Sequence, residues 1–225
     1  MKELNCLNKK KIFIDLDGTL YDSFAGIMQG LEYAHKKANI PMQYKDIMSV
    51  IGPPLVETFA KFIDDKKLVW QMVLWYREKY EDTGWKNGSL YNGIEEVLKE
   101  LNERGYNVYV ATCKPTGIAT KIIDYYGLSK YFLEIFGVEE TGDTPHLNKK
   151  EVLEYALEKT NSTVEESLMI GDSSSDYNGA KAHNMDFGAV LYGYGAKDIE
   201  SSLNFFNVMT AIEILNYLPS KNCNY

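Results

Sequence analysis

Lys11-Ile12-Phe13-Ile14-Asp15-Leu16-Asp17-Gly18-Thr19-Leu20 is the stretch on which the reading of this chain turns. An apolar run rich in Ile and Phe reads as a buried strand, and this one stops abruptly at two acids and a glycine. Side chains two apart on a strand share a face, so Asp15 and Asp17 point at one place beside the strand tip. Carboxylates held that close repel each other unless a cation or a proton intervenes. The pair suits a magnesium site with one nucleophilic and one acid/base carboxylate. Two plainer readings compete. Asp-Gly is a common tight-hairpin signal, but a hairpin needs a second strand, and the pattern from Asp22 to Asn39 is helical. A calcium loop that opens Asp-x-Asp needs Gly at its sixth position and Glu at its twelfth; those places hold Leu20 and Gly26.

The other residues set bounds on function. The chain has 225 residues, 45% hydrophobic and 25% charged, enough for a full core and a small additional domain. A net charge of −8 disfavours a general nucleic-acid or anionic-membrane binder. Cys6, Cys113 and Cys223 are far apart and form no CxxC pair, which fits a reducing compartment. The first residues carry no apolar core of signal-peptide length, and no apolar stretch approaches the ~20 residues that span a bilayer. A cytoplasmic protein is expected.

The pattern along the chain predicts the architecture. Residues 12–16 read as the first strand. Phe24, Ile27, Met28, Leu31 and Ala34 make one face of a helix whose N-cap is Asp22 or Ser23. Gly52-Pro53-Pro54 breaks the pattern. Leu55–Phe62 and Leu68–Tyr80 read as further helices, the second with Trp70, Val73, Leu74 and Arg77 at helical spacing. Beyond Gly93 strands alternate with helices: strands at 106–111, 134–138, 167–170, 187–191 and 205–208, helices at 94–104, 117–126, 149–159, 176–183 and 210–218. Such alternation implies right-handed βαβ units and a doubly wound parallel α/β sheet. The helical stretch interrupts it directly after the first strand. Residues 1–20 and 92–225 are therefore expected to form a Rossmann-like catalytic core, and 21–91 an inserted all-helical cap.

Ligands in open parallel sheets bind beyond the carboxyl ends of the strands. The residues just past each strand therefore carry the functional signal. Thr112-Cys113-Lys114-Pro115 offers a hydroxyl and N–H groups entering a helix, an anion cradle if it is not a simple cap. Gly171-Asp172-Ser173-Ser174-Ser175-Asp176 places two acids four apart at a strand-to-helix turn. An N-cap with a favourable first-turn acid explains one of them more easily than both. Lys149 or Lys150 opens a helix against the dipole preference; a phosphate clamp is one reason, a solvated lysine the default.

On these residues the chain resembles the haloacid dehalogenase-like hydrolase superfamily, in particular its phosphoglycolate-phosphatase-like branch. Asp15 to Leu20 match its first motif, Val110 to Pro115 look like the second, Lys149 fits the third better than Lys150, and Ile170 to Asp176 match the fourth. Gly179 to Ala182 and Tyr192 to Gly195 are similar to the branch's C-terminal pattern. Cys113 and Asn184 depart from it, standing where Ser and Gly are common. The resemblance implies Mg2+-dependent hydrolysis of a small phosphate monoester. Asp15 would attack phosphorus and form an aspartyl-phosphate, and Asp17 would act as acid and base. Asp15, the backbone carbonyl of Asp17, Asp172 and Asp176 would surround the metal. Gly18, Thr112, Cys113 and Lys149 would hold the phosphoryl group, with Thr112 and Lys149 also serving catalysis. The acid Asp17 favours a phosphatase over a dehalogenase. A phosphosugar mutase and a non-catalytic regulatory protein of the same fold stay open, as does the choice between monomer and homodimer. Phosphoglycolate and nucleoside monophosphates are the substrates the resemblance suggests, with neither nucleic acid nor membrane as partner. Lys36, Lys37, Lys61, Lys66 and Lys67 read as solvated charges rather than a Schiff-base lysine. Arg77 and Gly52–Pro54 are the cap positions considered for substrate contact.

Overall fold

The structure, a computed structural model, describes residues 9–44, 51, 55–139, 146–195, 199 and 204–220. Gly52, Pro53 and Pro54 lie outside them, as do Cys6 and Cys223. Backbone proximity divides the chain into two compact units, one running to Tyr21 and resuming at Leu90, the other Asp22–Ser89.

The first unit is built on a six-stranded sheet. In chain order its strands are β1 (Lys11–Ile14), β4 (Asn107–Pro115), β5 (Glu134–Val138), β6 (Ser167–Gly171), β7 (Asp186–Val190) and β8 (Phe206–Val208). Across the sheet they run β5-β4-β1-β6-β7-β8, all parallel. Ile12, Phe13 and Ile14 are buried, as expected of a central strand covered on both faces. Ile12 sits level with Val108 on one side and Leu168 on the other. The chain leaves β1 toward β4 and β5, then crosses back to β6 on the opposite flank. β1 is thus the point where the winding reverses, and clefts form at the carboxyl ends of strands there. Helices α4 (Ile94–Glu103), α5 (Thr116–Tyr125), α6 (Lys149–Lys159) and α7 (Ser174–Ala182) are the crossovers between these strands. Val97, Leu98 and Leu101 of α4 and Val152, Leu153 and Ala156 of α6 are buried, the helical spacing that ties each to the sheet.

The second unit holds α1 (Phe24–Ala38), α2 (Leu55–Ala60) and α3 (Lys66–Asp82). A short ribbon of β2 (Tyr21–Asp22) with β3 (Ser89–Leu90) forms where the chain passes between the units. Asp65 caps α3, accepting from the amides of Lys67 at 2.9 Å and Leu68 at 3.4 Å. Ser23 occupies the N-cap of α1 but makes no side-chain cap bond; the Asp22 carboxylate accepts from Phe24 N at 3.2 Å instead. The buried face of α3 is Val69, Met72, Val73, Tyr76 and Tyr80. Trp70 and Leu74, expected on that face, are 56% and 54% exposed. Aromatic and long aliphatic residues mark two stripes of this helix, and the tyrosines rather than the tryptophan turn inward. Lys36, Lys37, Lys61, Lys66 and Lys67 are exposed, as read from the sequence.

Several boundaries differ from expectation. β1 ends at Ile14, so Asp15 stands just beyond the ladder. β4 continues to Pro115, with a register break between Ala111 and Pro115. Thr112, Cys113 and Lys114 are therefore an irregular strand end and not the opening of α5, which begins at Thr116. The last helix is a 3-10 segment, Ala211–Asn216.

Candidate active site

The tips of β1, β4 and β6 and the first turns of α6 and α7 carry the polar residues expected to act. Asp15 lies one residue past β1 and is buried. Its amide donates to Ile170 O at 2.9 Å, which pins the start of the loop against β6.

Lys149 is the first residue of α6. Asn148 caps that helix by accepting from Glu151 N at 3.1 Å, and Glu151 takes Leu147 N at 2.6 Å. The cap fixes where the helix starts and so where Lys149 leaves it. Its side chain is 2% exposed. The ammonium meets three oxygens: Asp15 Oδ1 at 2.8 Å, Asp176 Oδ1 at 2.8 Å and Ala111 O at 2.7 Å. A lysine at a helix start is thereby explained, because two carboxylates outweigh the adverse dipole. Burial opposes the charge on Lys149, yet Asp15 and Asp176 hold its pKa above the ordinary lysine value. Lys150 is exposed and its carbonyl meets the His183 ring at 2.9 Å, so of the two lysines it is Lys149 that reaches Asp15.

Asp176 has two duties, one for each oxygen. Oδ2 accepts from Ser173 N at 3.1 Å and Ser173 Oγ at 2.7 Å, closing a capping box on α7. Oδ1 faces Lys149. Asp176 is thus at once the acid of the α7 capping box and a neighbour of Lys149.

Asp172, at the tip of β6, is braced from three sides. Thr19 Oγ1 donates to its Oδ1 at 3.2 Å, while the amides of Tyr194 at 2.7 Å and Gly195 at 3.2 Å donate to Oδ2. Gly18 makes room for it. Its φ is +82°, and a Cβ there would stand 2.3 Å from Asp172 Oδ2. A Cβ on Gly193 would meet Asp172 Cβ at the same 2.3 Å. The Gly18 amide is taken by Tyr21 O at 2.9 Å. In this geometry Gly18 admits Asp172, and its N–H is not directed at an anion.

Asp15, Asp172 and Asp176 each bring a carboxylate oxygen into one cluster whose atoms all lie within 4.8 Å of one another. Burial first, and Asp176 second, raise Asp15 to about 6; the same causes, joined by Asp15, raise Asp172 to about 7. Buried like charges forced together are the condition a small hard cation relieves, and an all-oxygen donor set suits magnesium. The residues present fit that ion.

Asp17 is placed apart from this cluster. Its Oδ2 accepts from the Lys114 ammonium at 2.7 Å, and its buried Oδ1 has no hydrogen-bond partner among the described residues. Thr112 is buried, and its Oγ1 accepts from Lys114 N at 3.2 Å, which leaves its own proton available to donate. Cys113 is exposed, with Sγ 3.8 Å from Ser175 Oγ. Asn184, at a position where glycine is common, takes φ +56°, a conformation asparagine tolerates.

Sequence reasoning did not find Lys114 as a partner of Asp17, nor the Thr19 hydroxyl and the Tyr194 and Gly195 amides as the braces of Asp172. Backbone amides leave no signature in side-chain patterns. Lys114 did have one, its place two residues after Thr112.

A doubly wound α/β fold with buried aspartates and one buried lysine at its switch point defines the class. The match to known proteins narrows it: residues 12–190 fit the model of the haloacid dehalogenase-like hydrolases, and the chain belongs to that family. It is similar to a 5'-nucleotidase of Pseudomonas aeruginosa, 34% identical over 85% of this chain and 87% of that protein. It is also similar to the tyrosine-protein kinase PtkA of Mycobacterium tuberculosis, 33% identical over 83% of this chain and 64% of the kinase. A solved haloacid dehalogenase-like family hydrolase from Streptococcus pneumoniae superposes with a TM-score of 0.87 at 28% identity, covering 94% of this chain and 99% of that one. Among the described residues no helix is long and apolar enough to cross a membrane.

Proposed function

We propose that this protein hydrolyses a small phosphate monoester through a covalent intermediate on Asp15, with Mg2+ as its cofactor. The observation that carries this reading is the division of labour between the two acids of the first loop. Asp15 is locked by Lys149 into one orientation among buried carboxylates. Asp17, two residues on, keeps one buried oxygen without a hydrogen-bond partner among the described residues.

Asp15 supplies the carboxylate that attacks phosphorus, and the bond to the leaving oxygen breaks as the new P–O bond forms. Asp17 gives a proton from its Oδ1 side to that leaving oxygen, then takes one from the water that cleaves the aspartyl-phosphate. The Thr112 hydroxyl donates to a phosphoryl oxygen. Lys149 holds Asp15 in place and offsets its charge. Asp15, the Asp17 carbonyl, Asp172 and Asp176 would hold the magnesium ion, which when bound neutralises charge on the phosphoryl oxygens. The unit Asp22–Ser89 is proposed as the cap that selects the leaving group, since it is inserted directly after the reacting loop and the core residues see only the phosphoryl group.

The name of the Pseudomonas relative supports a phosphatase with a nucleotide or another small ester as substrate. The test is phosphate release from 4-nitrophenyl phosphate between about pH 5 and 9, with magnesium, with a chelator, and with Asp15→Asn. Release that needs magnesium and vanishes in the variant is expected. Turnover by Asp15→Asn at the wild-type rate would remove the covalent mechanism.

A further inference from the structure

We infer that Tyr192 is a positioning residue for magnesium, given the ion site proposed above: its hydroxyl holds the Thr19 backbone so that the Thr19 side chain is aimed at Asp172. Tyr192 would tune the affinity for the ion without touching it.

The two oxygens of Asp172 are aimed by different pieces of chain. Oδ2 accepts from the amides of Tyr194 and Gly195, in the loop after β7. Oδ1 accepts from Thr19 Oγ1, in the loop after β1. Tyr192 opens the first of these loops and reaches the second. Its hydroxyl donates to Thr19 O at 2.9 Å, across 173 positions of sequence.

Thr19 is fully buried in a tight turn. Leu16 O takes the amides of Thr19 at 3.3 Å, Leu20 at 2.9 Å and Tyr21 at 2.9 Å. The Thr19 carbonyl and the Leu20 amide lie in one rigid peptide plane. Leu16 holds that plane at its N–H and Tyr192 holds it at its carbonyl. A β-branched side chain has few χ1 choices, so the backbone of Thr19 decides where its Oγ1 points. The Oγ1 to Oδ1 distance of 3.2 Å is beyond the usual span for a hydroxyl donor, and a small tilt of the plane breaks the contact.

The Tyr192 ring is itself held by the same turn. The Tyr91 ring packs on it with centroids 4.8 Å apart, and the Tyr91 amide donates to Leu20 O at 3.2 Å. Gly193 lets the loop come close: a Cβ there would stand 2.3 Å from Gly18 O. Burial, with Tyr91 and Asp172 nearby, keeps the Tyr192 hydroxyl above the ordinary tyrosine pKa, so it stays a donor at neutral pH. Carboxylates that ligate metals depend on such outer hydrogen bonds, and losing one typically costs about 10–100-fold in affinity. Thr19 is one link from the ion-binding oxygen and Tyr192 is two.

The experiment titrates magnesium chloride into the full chain and takes the dissociation constant from the rise in melting temperature. The proteins are the wild type, Tyr192→Phe, Thr19→Val and the double variant. Phenylalanine keeps the ring against Tyr91 and deletes only the donor. Tyr192→Phe should weaken magnesium binding about three- to tenfold, and Thr19→Val about ten- to a hundredfold. The double variant should bind no more weakly than Thr19→Val, because a hydroxyl acting through Thr19 then has nothing to act on. A tyrosine that only packed its loop would lower the melting temperature equally with and without magnesium. An unmoved dissociation constant in Tyr192→Phe therefore overturns the positioning role. So does a double variant whose loss is the product of the two single losses. Tyr192→Phe decides alone if Thr19→Val does not fold. A wild type that does not respond to magnesium would instead remove the ion site, and with it the residue's role.

Discussion

Lys149 and Asp15 are separated by 134 positions in the chain and by 2.8 Å in space. The contact ties the start of α6 to the loop after β1, and Asp176 joins it from α7. A buried ion pair of this kind is weak evidence for stability, since desolvation offsets much of the attraction. Its value here is orientation: one ammonium fixes two carboxylates that would otherwise repel.

Lys149→Met should therefore damage two properties. It leaves Asp15 and Asp176 buried and uncompensated, a loss of about 3–5 kcal/mol, read as a lower urea midpoint. It also removes a charge beside the transferring group, and kcat should fall about 10²–10³-fold. A variant with unchanged turnover would show that the pair is structural only.

Gly18 and Gly127 provide a matched pair of glycines. Both have positive φ, +82° and +68°. Among the described residues an alanine side chain at Gly127 meets nothing within 4 Å, while at Gly18 it meets Asp172. Gly127→Ala should cost roughly 1 kcal/mol of stability and leave activity alone. Gly18→Ala should in addition displace Asp172 and lower activity by about tenfold or more, the scale of one misplaced group. Equal activities in the two variants would contradict the bracing of Asp172.

The pH dependence of stability has a definite sign. Asp172 binds its proton more tightly in the folded chain, at about 7, than the ordinary carboxyl at 3.8. Asp15 does the same, at about 6. Between those values the folded state holds more protons than the unfolded one, so these groups lower stability as pH rises and the effect is complete above the folded pKa. Metal-free protein should melt at a lower temperature at about pH 7.5 than at about pH 5 on their account. Asp172→Asn should flatten that slope and raise the melting temperature at the higher pH, while abolishing turnover. A steeper slope in the variant would contradict the assignment.

Magnesium should act on the same carboxylates. Adding it at neutral pH should raise the melting temperature, with a stabilisation of about 2.7 kcal/mol at a hundredfold excess over its dissociation constant. A chelator should reverse the rise and stop phosphate release together. Asp172→Asn should lose the thermal response to magnesium. An unchanged response in that variant would place the ion elsewhere.

Much of the core was legible in the residues themselves. The apolar run of β1 and the alternation beyond Gly93 have strong periodicity, and burial on both faces of a parallel sheet leaves little ambiguity in such runs. Asp15, Asp17, Asp172 and Asp176 stood out because acids are rare at the ends of buried strands. What was hidden has physical reasons. The extension of β4 to Pro115 was obscured because Thr-Cys-Lys-Pro carries polar and turn signals that outweigh a strand reading. Trp70 and Leu74 looked like core residues because size and apolarity do not say which of two adjacent stripes turns inward. Lys114 looked like part of a cradle, and only the register break in β4 aims its ammonium at Asp17. The amides of Tyr194 and Gly195 serve Asp172 through backbone that any sequence could supply.

The claim that Asp15 becomes phosphorylated can be tested at the residue itself. The protein is mixed with magnesium and a labelled phosphate ester, quenched in acid during the first turnovers, and reduced with tritiated borohydride, which converts an aspartyl-phosphate to homoserine. Tritium in the peptide spanning β1, at position 15, is the predicted result. Rapid product release with tritium at another residue, or with none in that peptide, would contradict it.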